Sequence, residues 1–301
     1  MDIFLEQVEG KELGRIIYDA DLSKYTTYKV GGKARAIIYP KDRRCLVELC
    51  KLIKTYHIKY KILGNGSNLL FSDELYDGVL IKLDEFDKIE FVRNKVICGA
   101  GASLMKVARE AMKRSLAGLE FASGIPGTIG GAIYMNAGAY KSDMGYITTN
   151  VTVLTDDLKI ITLTNSEMDF HYRSSYLQKH KDYICLEAVL KLTKGDKKEI
   201  EAITKERRER RIESQPLEYP SAGSVFRNPE GMYAGKLIED LGLKGLTKGG
   251  AEVSLKHANF VINKDGATAK DIHDLIVFVH DAVLDRYSVD LKIEQEFVNW
   301  E

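Results

Sequence analysis

Gly64-Asn65-Gly66-Ser67-Asn68-Leu69-Leu70 stands where the strand candidate Tyr60-Lys61-Ile62-Leu63 ends. Glycines at such a point let backbone N–H groups come close to an anion, and Ser67 and Asn68 add side-chain donors. Taken alone, an ordinary glycine turn explains the loop equally well. Leu69 occupies the place of the third glycine of a GxGxxG fingerprint, and no GxxxxGK[ST] occurs, so the two commonest nucleotide loops are absent. Upstream, Leu46, Leu49, Cys50 and Ile53 fall at i, i+3, i+4 and i+7, which predicts an amphipathic helix over 41–57. Helix, strand and loop form an α/β unit over roughly residues 24–80.

A second glycine-rich stretch follows. Ser123-Gly124-Ile125-Pro126-Gly127-Thr128-Ile129-Gly130-Gly131-Ala132 continues to Asn136-Ala137-Gly138-Ala139. Small residues at this density let the backbone lie against a flat or extended ligand; a tight apolar packing corner is the plainer reading. Two such loops in adjacent regions are better explained by one elongated ligand with a pyrophosphate than by two coincidental turns. Between them, Lys88–Val92 and Lys95–Cys98 read as strands around Arg93-Asn94, and Ser103 caps a helix with Leu104, Val107, Ala108 and Ala111 on one face. Strands are expected at Val151–Thr155, Ile160–Thr164, 183–192, Ala258–Asn263 and 289–298. Helices are expected at 196–213, which is highly charged, and at 269–287, with Ile272, Leu275, Ile276, Val279 and Val283 as its core stripe.

The 301-residue length suggests two or three domains, and 44 Lys+Arg against 44 Asp+Glu gives a formal net charge of zero. That balance argues against bulk binding to nucleic acid or to a membrane surface and for a small molecule recognised by a few placed charges. The start, Met1-Asp2-Ile3-Phe4-Leu5-Glu6, lacks the basic-then-apolar pattern of a signal peptide, and no apolar run approaches a membrane span. A cytoplasmic protein is expected. Cys45, Cys50, Cys98 and Cys185 form no CxxC pair and read as thiols in a reducing compartment. His273 and His280 lie near one face of a helix without a third ligand and read as surface residues; no metal is expected.

The two glycine loops resemble the flavin-binding segments of the UDP-N-acetylenolpyruvoylglucosamine reductase family, in the FAD-binding superfamily that also holds vanillyl-alcohol oxidase. Tyr25-Thr26-Thr27-Tyr28-Lys29-Val30-Gly31-Gly32 resembles the family's Thr-x-x-x-Gly-Gly segment, and Tyr172-Arg173-Ser174-Ser175 its Tyr-Arg-x-Ser element. Ser221-Ala222-Gly223-Ser224-Val225-Phe226-Arg227-Asn228-Pro229 is similar to Gly-Ser-x-Phe-Lys-Asn-Pro, with Arg227 in the usual lysine position. Arg211 with Gln215-Pro216 matches Arg-x-x-x-Gln-Pro. Further matches are Ala234-Gly235-Lys236-Leu237-Ile238, Gly242-Leu243-Lys244-Gly245 and His257-Ala258-Asn259-Phe260. The tail Leu291-Lys292-Ile293-Glu294-Gln295-Glu296-Phe297-Val298 follows Leu-Glu-x-Glu-Val-Arg-x-Ile-Gly, but Lys292, Gln295, Glu296 and Asn299 depart from it. Lys141 stands where a glycine usually follows Ala-Gly-Ala-Tyr. The resemblance spans the chain from about residue 20 onward, and the short C-terminal half is similar to the shorter, type II, subtype.

The resemblance implies an α+β fold: a two-part FAD-binding domain of the vanillyl-alcohol-oxidase type, residues 1–80 and 81–200, and a substrate-binding domain, residues 201–301. It implies noncovalent FAD held by Gly64, Asn65, Gly66, Ser67, Asn68 and Leu69 and by Ser123, Gly124, Ile125, Pro126, Gly127, Gly130, Gly131, Asn136, Ala137 and Gly138. NADPH is the implied hydride donor, and UDP-N-acetylglucosamine enolpyruvate the substrate. Arg173 then holds the substrate carboxylate, a task suited to a guanidinium fork. Ser224 is the proton donor, helped by a cation such as Lys236 or Arg227, and Glu294 is the catalytic carboxyl, with Glu296 a rival. Alternation along a tail strand sets Leu291, Ile293 and Phe297 on one face and Glu294 on the other. Arg211, Asn228 and Lys236 are assigned to the nucleotide-sugar. A monomer is expected. The alternatives are a small-alcohol oxidase of the same superfamily, which is not expected to share Gly-Ser-x-Phe-Arg-Asn-Pro, and a non-catalytic flavin or nucleotide-sugar carrier.

Overall fold

The stripe Leu46, Leu49, Cys50 and Ile53 is buried along the helix Arg43–Thr55 in the computed structural model, which describes residues 1–300. Asp42 caps it by accepting the Cys45 N–H at 2.8 Å, and the chain leaves at His57 with φ +50°. The helix is shorter at both ends than its apolar pattern because that cap and that exit limit it. It belongs to the first of two compact units, formed by Met1–Tyr18, Ala36–Gly64 and Asp77–Glu209. The second unit combines Asp19–Arg35, Asn65–Tyr76 and the chain from Arg210 onward. Each has its own apolar core.

The first unit centres on a five-stranded antiparallel sheet in the order Ile160–Thr164, Thr148–Leu154, Ile184–Lys191, Lys95–Gly99, Ile89–Val92. Val151 and Val153 are fully buried on it, and bulges at Thr148/Asn150 and Thr152/Val153 adjust which side chains turn inward. A four-stranded sheet follows the order Gly14–Asp21, Lys33–Pro40, Tyr76–Ile81, Tyr60–Ile62, with the last pair parallel. The helix Leu104–Lys113 buries Leu104, Val107, Ala108 and Ala111 as its pattern predicts, and Ser103 caps it. The charged helix Lys197–Ser214 buries only Ile200. All four cysteines are free and buried.

In the second unit, a three-stranded antiparallel sheet of Thr247–Lys248, Ala251–Val253 and Val261–Asn263 packs against the helix Ala269–Tyr287. A Thr268–Asp271 capping box starts that helix, and Ser288 ends it at φ +54°. Its predicted core stripe is buried at every position. Two tail expectations need correction. Only Glu296–Val298 forms a strand, pairing in parallel with Leu69–Phe71, because the preceding residues bind the 222–227 turn instead of a neighbouring strand. Leu291 and Gln295 are buried with the parity expected of the apolar face, but Val298, of the opposite parity, is buried too, so the alternation does not run through the tail. His273 is half-buried, its ring stacked on Trp300 with centroids 4.1 Å apart. No helix among the described residues is long and apolar enough to cross a membrane.

Candidate active site

Two kinds of glycine separate in the first unit. A Cβ at Gly64 would lie 2.9 Å from Thr128 Oγ1, and one at Gly138 would lie 2.5 Å from Ser142 O, so packing alone requires both glycines. Gly127 differs, since a Cβ there would meet nothing within 4 Å; at Gly131 the nearest atom would be Thr128 Oγ1 at 3.5 Å. Neither has a positive φ. The fold has no steric need of glycine at these two positions, and bare backbone there keeps an open surface against which a flat ligand fits. Thr128 caps the short helix Ile129–Tyr134 by accepting the Gly131 N–H at 3.2 Å, and Gly130 N–H binds Ala100 O at 2.8 Å. Ser123 Oγ donates to Glu120 O at 2.9 Å. Ile125 is half-buried and Pro126 exposed. Asn136 is buried and committed to the scaffold, donating to His171 O at 2.8 Å and accepting from Gly145 N–H at 2.9 Å.

Arg173 follows from the same segment. Gly138–Ala139 pairs with Ser142–Asp143 across a two-residue turn, Tyr140 at φ +54° and Lys141 at φ +60°. Two positive φ values in succession are the signature of a type I′ hairpin, where glycine is favoured. Lys141 therefore keeps the left-handed backbone that the usual glycine would supply. The Gly138 carbonyl of this hairpin accepts Arg173 Nη2 at 2.9 Å. Arg173 stands at the tip of a tight turn closed by mutual His171–Ser174 backbone bonds, itself at φ +53°. Ser175, fully buried, anchors the turn by donating to Tyr134 O at 2.7 Å, and Gln178 Nε2 binds both Tyr134 O and Arg173 O at 3.0 Å. Gln178 was not legible as a supporting residue because no motif contains it.

The rest of the candidate set lies in the second unit. Gly66, at φ +61°, requires glycine, as a Cβ would sit 2.3 Å from Tyr25 O. Asn65 is exposed, and Ser67 and Leu69 are half-buried. Asn68 Nδ2 donates to Glu294 O at 3.0 Å, and Glu296 N–H to Asn68 O at 2.9 Å. The Ser224 turn interlocks with the tail: Glu294 N–H donates to Val225 O at 2.7 Å and Arg227 N–H to Lys292 O at 2.8 Å. On another side Asn259 holds it, with its carbonyl on Val225 N–H and its side chain bonded to both N–H and C=O of Phe226 at 2.9 and 2.8 Å. Ser224 and Glu294 are thus brought together by backbone bonds. Asn228 Oδ1 accepts the Ala234 N–H at 3.0 Å, and Lys236 is exposed and paired with Asp240. Arg211 Nε donates to Gln215 Oε1 at 2.8 Å. Arg227 Nε is buried without any hydrogen-bond partner among the described residues. A buried charged donor without an acceptor is costly, so this atom calls for one from outside the described residues.

Residues 34–164 match the profile of an FAD binding domain, and residues 215–298 that of the C-terminal domain of UDP-N-acetylenolpyruvoylglucosamine reductase. A UDP-N-acetylenolpyruvoylglucosamine reductase from Bacillus licheniformis is 42% identical over 299 residues, 99% of each chain. The crystal structure of UDP-N-acetylenolpyruvylglucosamine reductase from Thermus caldophilus superimposes with a TM-score of 0.80 at 35% identity, covering 94% of this chain and 98% of that one. A glucose dehydrogenase, Phl p 4.0202, matches 64% of this chain and 44% of its own at a TM-score of 0.51 and 14% identity, a likeness of fold alone.

Proposed function

The chain belongs to the UDP-N-acetylenolpyruvoylglucosamine reductase family, FAD-dependent oxidoreductases of peptidoglycan synthesis, and we propose that it reduces UDP-N-acetylglucosamine enolpyruvate to UDP-N-acetylmuramate with NADPH as donor. The observation that carries this reading is the interlock of the Ser224 turn with Lys292–Gln295, which puts a hydroxyl and the Glu294 carboxyl on neighbouring backbone. What FAD supplies when bound is the passage of a hydride from the nicotinamide to the methylene carbon of the enol ether. Gly127 and Gly131 leave room for it, and no part of the loop's packing depends on a side chain there.

Reduction at the methylene carbon builds negative charge on the substrate carboxylate. Arg173 binds that carboxylate with its planar fork, and Glu294 polarises the same group. Ser224 Oγ gives its proton to the carbon that bears the carboxylate. A serine hydroxyl is a weak acid and needs a nearby positive charge. Arg227, half-buried with a buried Nε lacking a partner, suits that task better than Lys236, which is exposed and paired with Asp240. Glu294 is preferred over Glu296 because Glu294 adjoins Val225, whereas Glu296 lies in the strand paired with Leu69. Asn228, Lys236 and Arg211 contact the nucleotide-sugar. In this reading residues 1–80 and 81–200 serve the flavin, residues 201–301 serve the substrate, and the enzyme works as a cytoplasmic monomer.

An absorption spectrum tests the proposal. Purified protein is expected to be yellow, to bleach with NADPH under anaerobic conditions, and to recover its colour on addition of the enolpyruvyl UDP-sugar. Acid precipitation should release the flavin into the supernatant. Bleaching without recovery on that substrate sinks the proposed reaction, and colour retained in the pellet sinks noncovalent binding.

A further inference from the structure

Gln295 departs from the family's tail pattern, in which a valine precedes the Arg-x-Ile-Gly end, yet it is one of the few buried polar residues of the chain. Its side chain is fully engaged. Oε1 accepts the Tyr28 hydroxyl at 2.9 Å. Nε2 faces a row of three carbonyls, Ala222 O at 3.2 Å, Gly223 O at 3.3 Å and Ser224 O at 3.5 Å. Carbonyls only accept, so the amide nitrogen must point at them and the amide oxygen at Tyr28. Burial pushes the Tyr28 phenol well above its ordinary value, which keeps it protonated as the donor. A valine at position 295 has no atom that could do this.

The row of carbonyls belongs to the backbone that carries Ser224 through Gly223, a residue at φ +77° with open space where a Cβ would point. No side chain at position 223 helps to hold that conformation. The bonds from Asn259 and the tail fix Val225 and Phe226, beyond Ser224; on the side before it Asn263 N–H holds Pro220 O at 2.9 Å, and Gln295 reaches the carbonyls nearest Ser224. We propose that Gln295, oriented by Tyr28, is a positioning residue that aims the Ser224 hydroxyl for proton transfer. The inference rests on the proton-donor role proposed for Ser224. A proton moves over a fraction of an ångström, so small misplacement of a hydroxyl slows transfer even when the fold is intact.

The test follows the two half-reactions of the FAD-loaded enzyme by stopped-flow absorbance. Gln295→Leu removes the amide at similar volume. Flavin reduction by NADPH is expected to keep its rate, while reoxidation by the enolpyruvyl UDP-sugar slows about tenfold. Tyr28→Phe, which keeps the ring, is expected to slow reoxidation about two- to threefold and stands in if the Leu variant does not fold. Gln295→Glu adds a pH profile. Its acid form donates to the carbonyls and its anion cannot, so reoxidation should fall with rising pH relative to the parent enzyme. The decisive measurement is Gln295→Leu combined with Ser224→Ala: a residue acting through Ser224 causes no further slowing in that background. Equal slowing of both half-reactions, unchanged reoxidation, or an undiminished effect beside Ser224→Ala each overturns the inference alone. Unimpaired reoxidation in Ser224→Ala itself removes the proton-donor role along with it.

Discussion

Arg173 and Ser224 stand in turns that are braced by different parts of the chain. Arg173 stands at a turn tip with a left-handed backbone, and its guanidinium reaches the carbonyl of a hairpin whose own turn has two residues at positive φ. Ser224 lies in a turn bonded on several sides, by Asn259, by Lys292 and Glu294, and by Gln295. The difference matches what each is proposed to do. Attraction between a guanidinium and a carboxylate falls off only as the inverse of distance, so displacement by a few tenths of an ångström changes it little. Proton transfer depends steeply on donor position. The Ser224 turn is tied to distant segments, Asn259 and the tail, whereas the Arg173 turn is tied within residues 134–178.

The sharpest way to break this comparison is Ser224→Ala. The proposed duty of the hydroxyl lies only in the substrate half-reaction. Flavin reduction should stay near its normal rate, while reoxidation by substrate slows by at least about a hundredfold, the scale of a positioned general acid. Stopped-flow absorbance separates the two. If both slow equally, the turn supports the flavin and not the proton, and the contrast with Arg173 disappears.

Arg173→Lys should do less. Lysine keeps the charge and loses the fork, and a hydrogen bond to a charged group is worth about 1.5–3 kcal/mol. That corresponds to a fall of roughly 10- to 100-fold in kcat/KM for the enolpyruvyl substrate. FAD content of the purified protein should not change. An unaltered kcat/KM places the carboxylate elsewhere, and a loss larger than that of Ser224→Ala reverses the ranking argued above.

Much of this was readable in the sequence where local physics decides. The helix Ala269–Tyr287 announces itself by its apolar spacing and by Thr268 and Asp271 at its start. The Ser103 cap and the turn at Arg93-Asn94 are of the same kind. The tail was not readable in this way. Residues 291–295 look like a strand, yet their backbone bonds go to a turn some seventy positions earlier, a pairing that no local pattern encodes. Gln295 looked like a mere departure from a motif for the same reason: its partners are Tyr28 and residues 222–224. The interleaving of the two units is likewise a product of long-range pairing, since both take in segments from early and late in the chain. His257-Ala258-Asn259-Phe260 did offer a signal, because a buried Asn in a short motif is suited to bonding backbone N–H and C=O together, as Asn259 does with Phe226.

The smallest expected effect concerns Arg173's side of the comparison, and it tests whether that side carries strain. Lys141 takes the second position of a type I′ turn at φ +60°. A residue with a Cβ costs about 1–2 kcal/mol in that conformation, while glycine reaches it freely. Against this, glycine loses more entropy on folding, by roughly 0.5–1 kcal/mol. Lys141 is exposed and makes no hydrogen bond or ion pair among the described residues, so little else is lost with its side chain. Lys141→Gly is therefore expected to stabilise the protein by about 0.5–1 kcal/mol, read as a higher denaturant midpoint at unchanged slope. The hairpin also supplies the carbonyl that holds Arg173, so the variant should leave kcat/KM within about twofold if glycine preserves the same turn. A lower midpoint shows that Lys141 is not strained. A higher midpoint with unchanged catalysis shows that the strain is incidental, and that Arg173 works from a turn whose energy can be relieved without moving it.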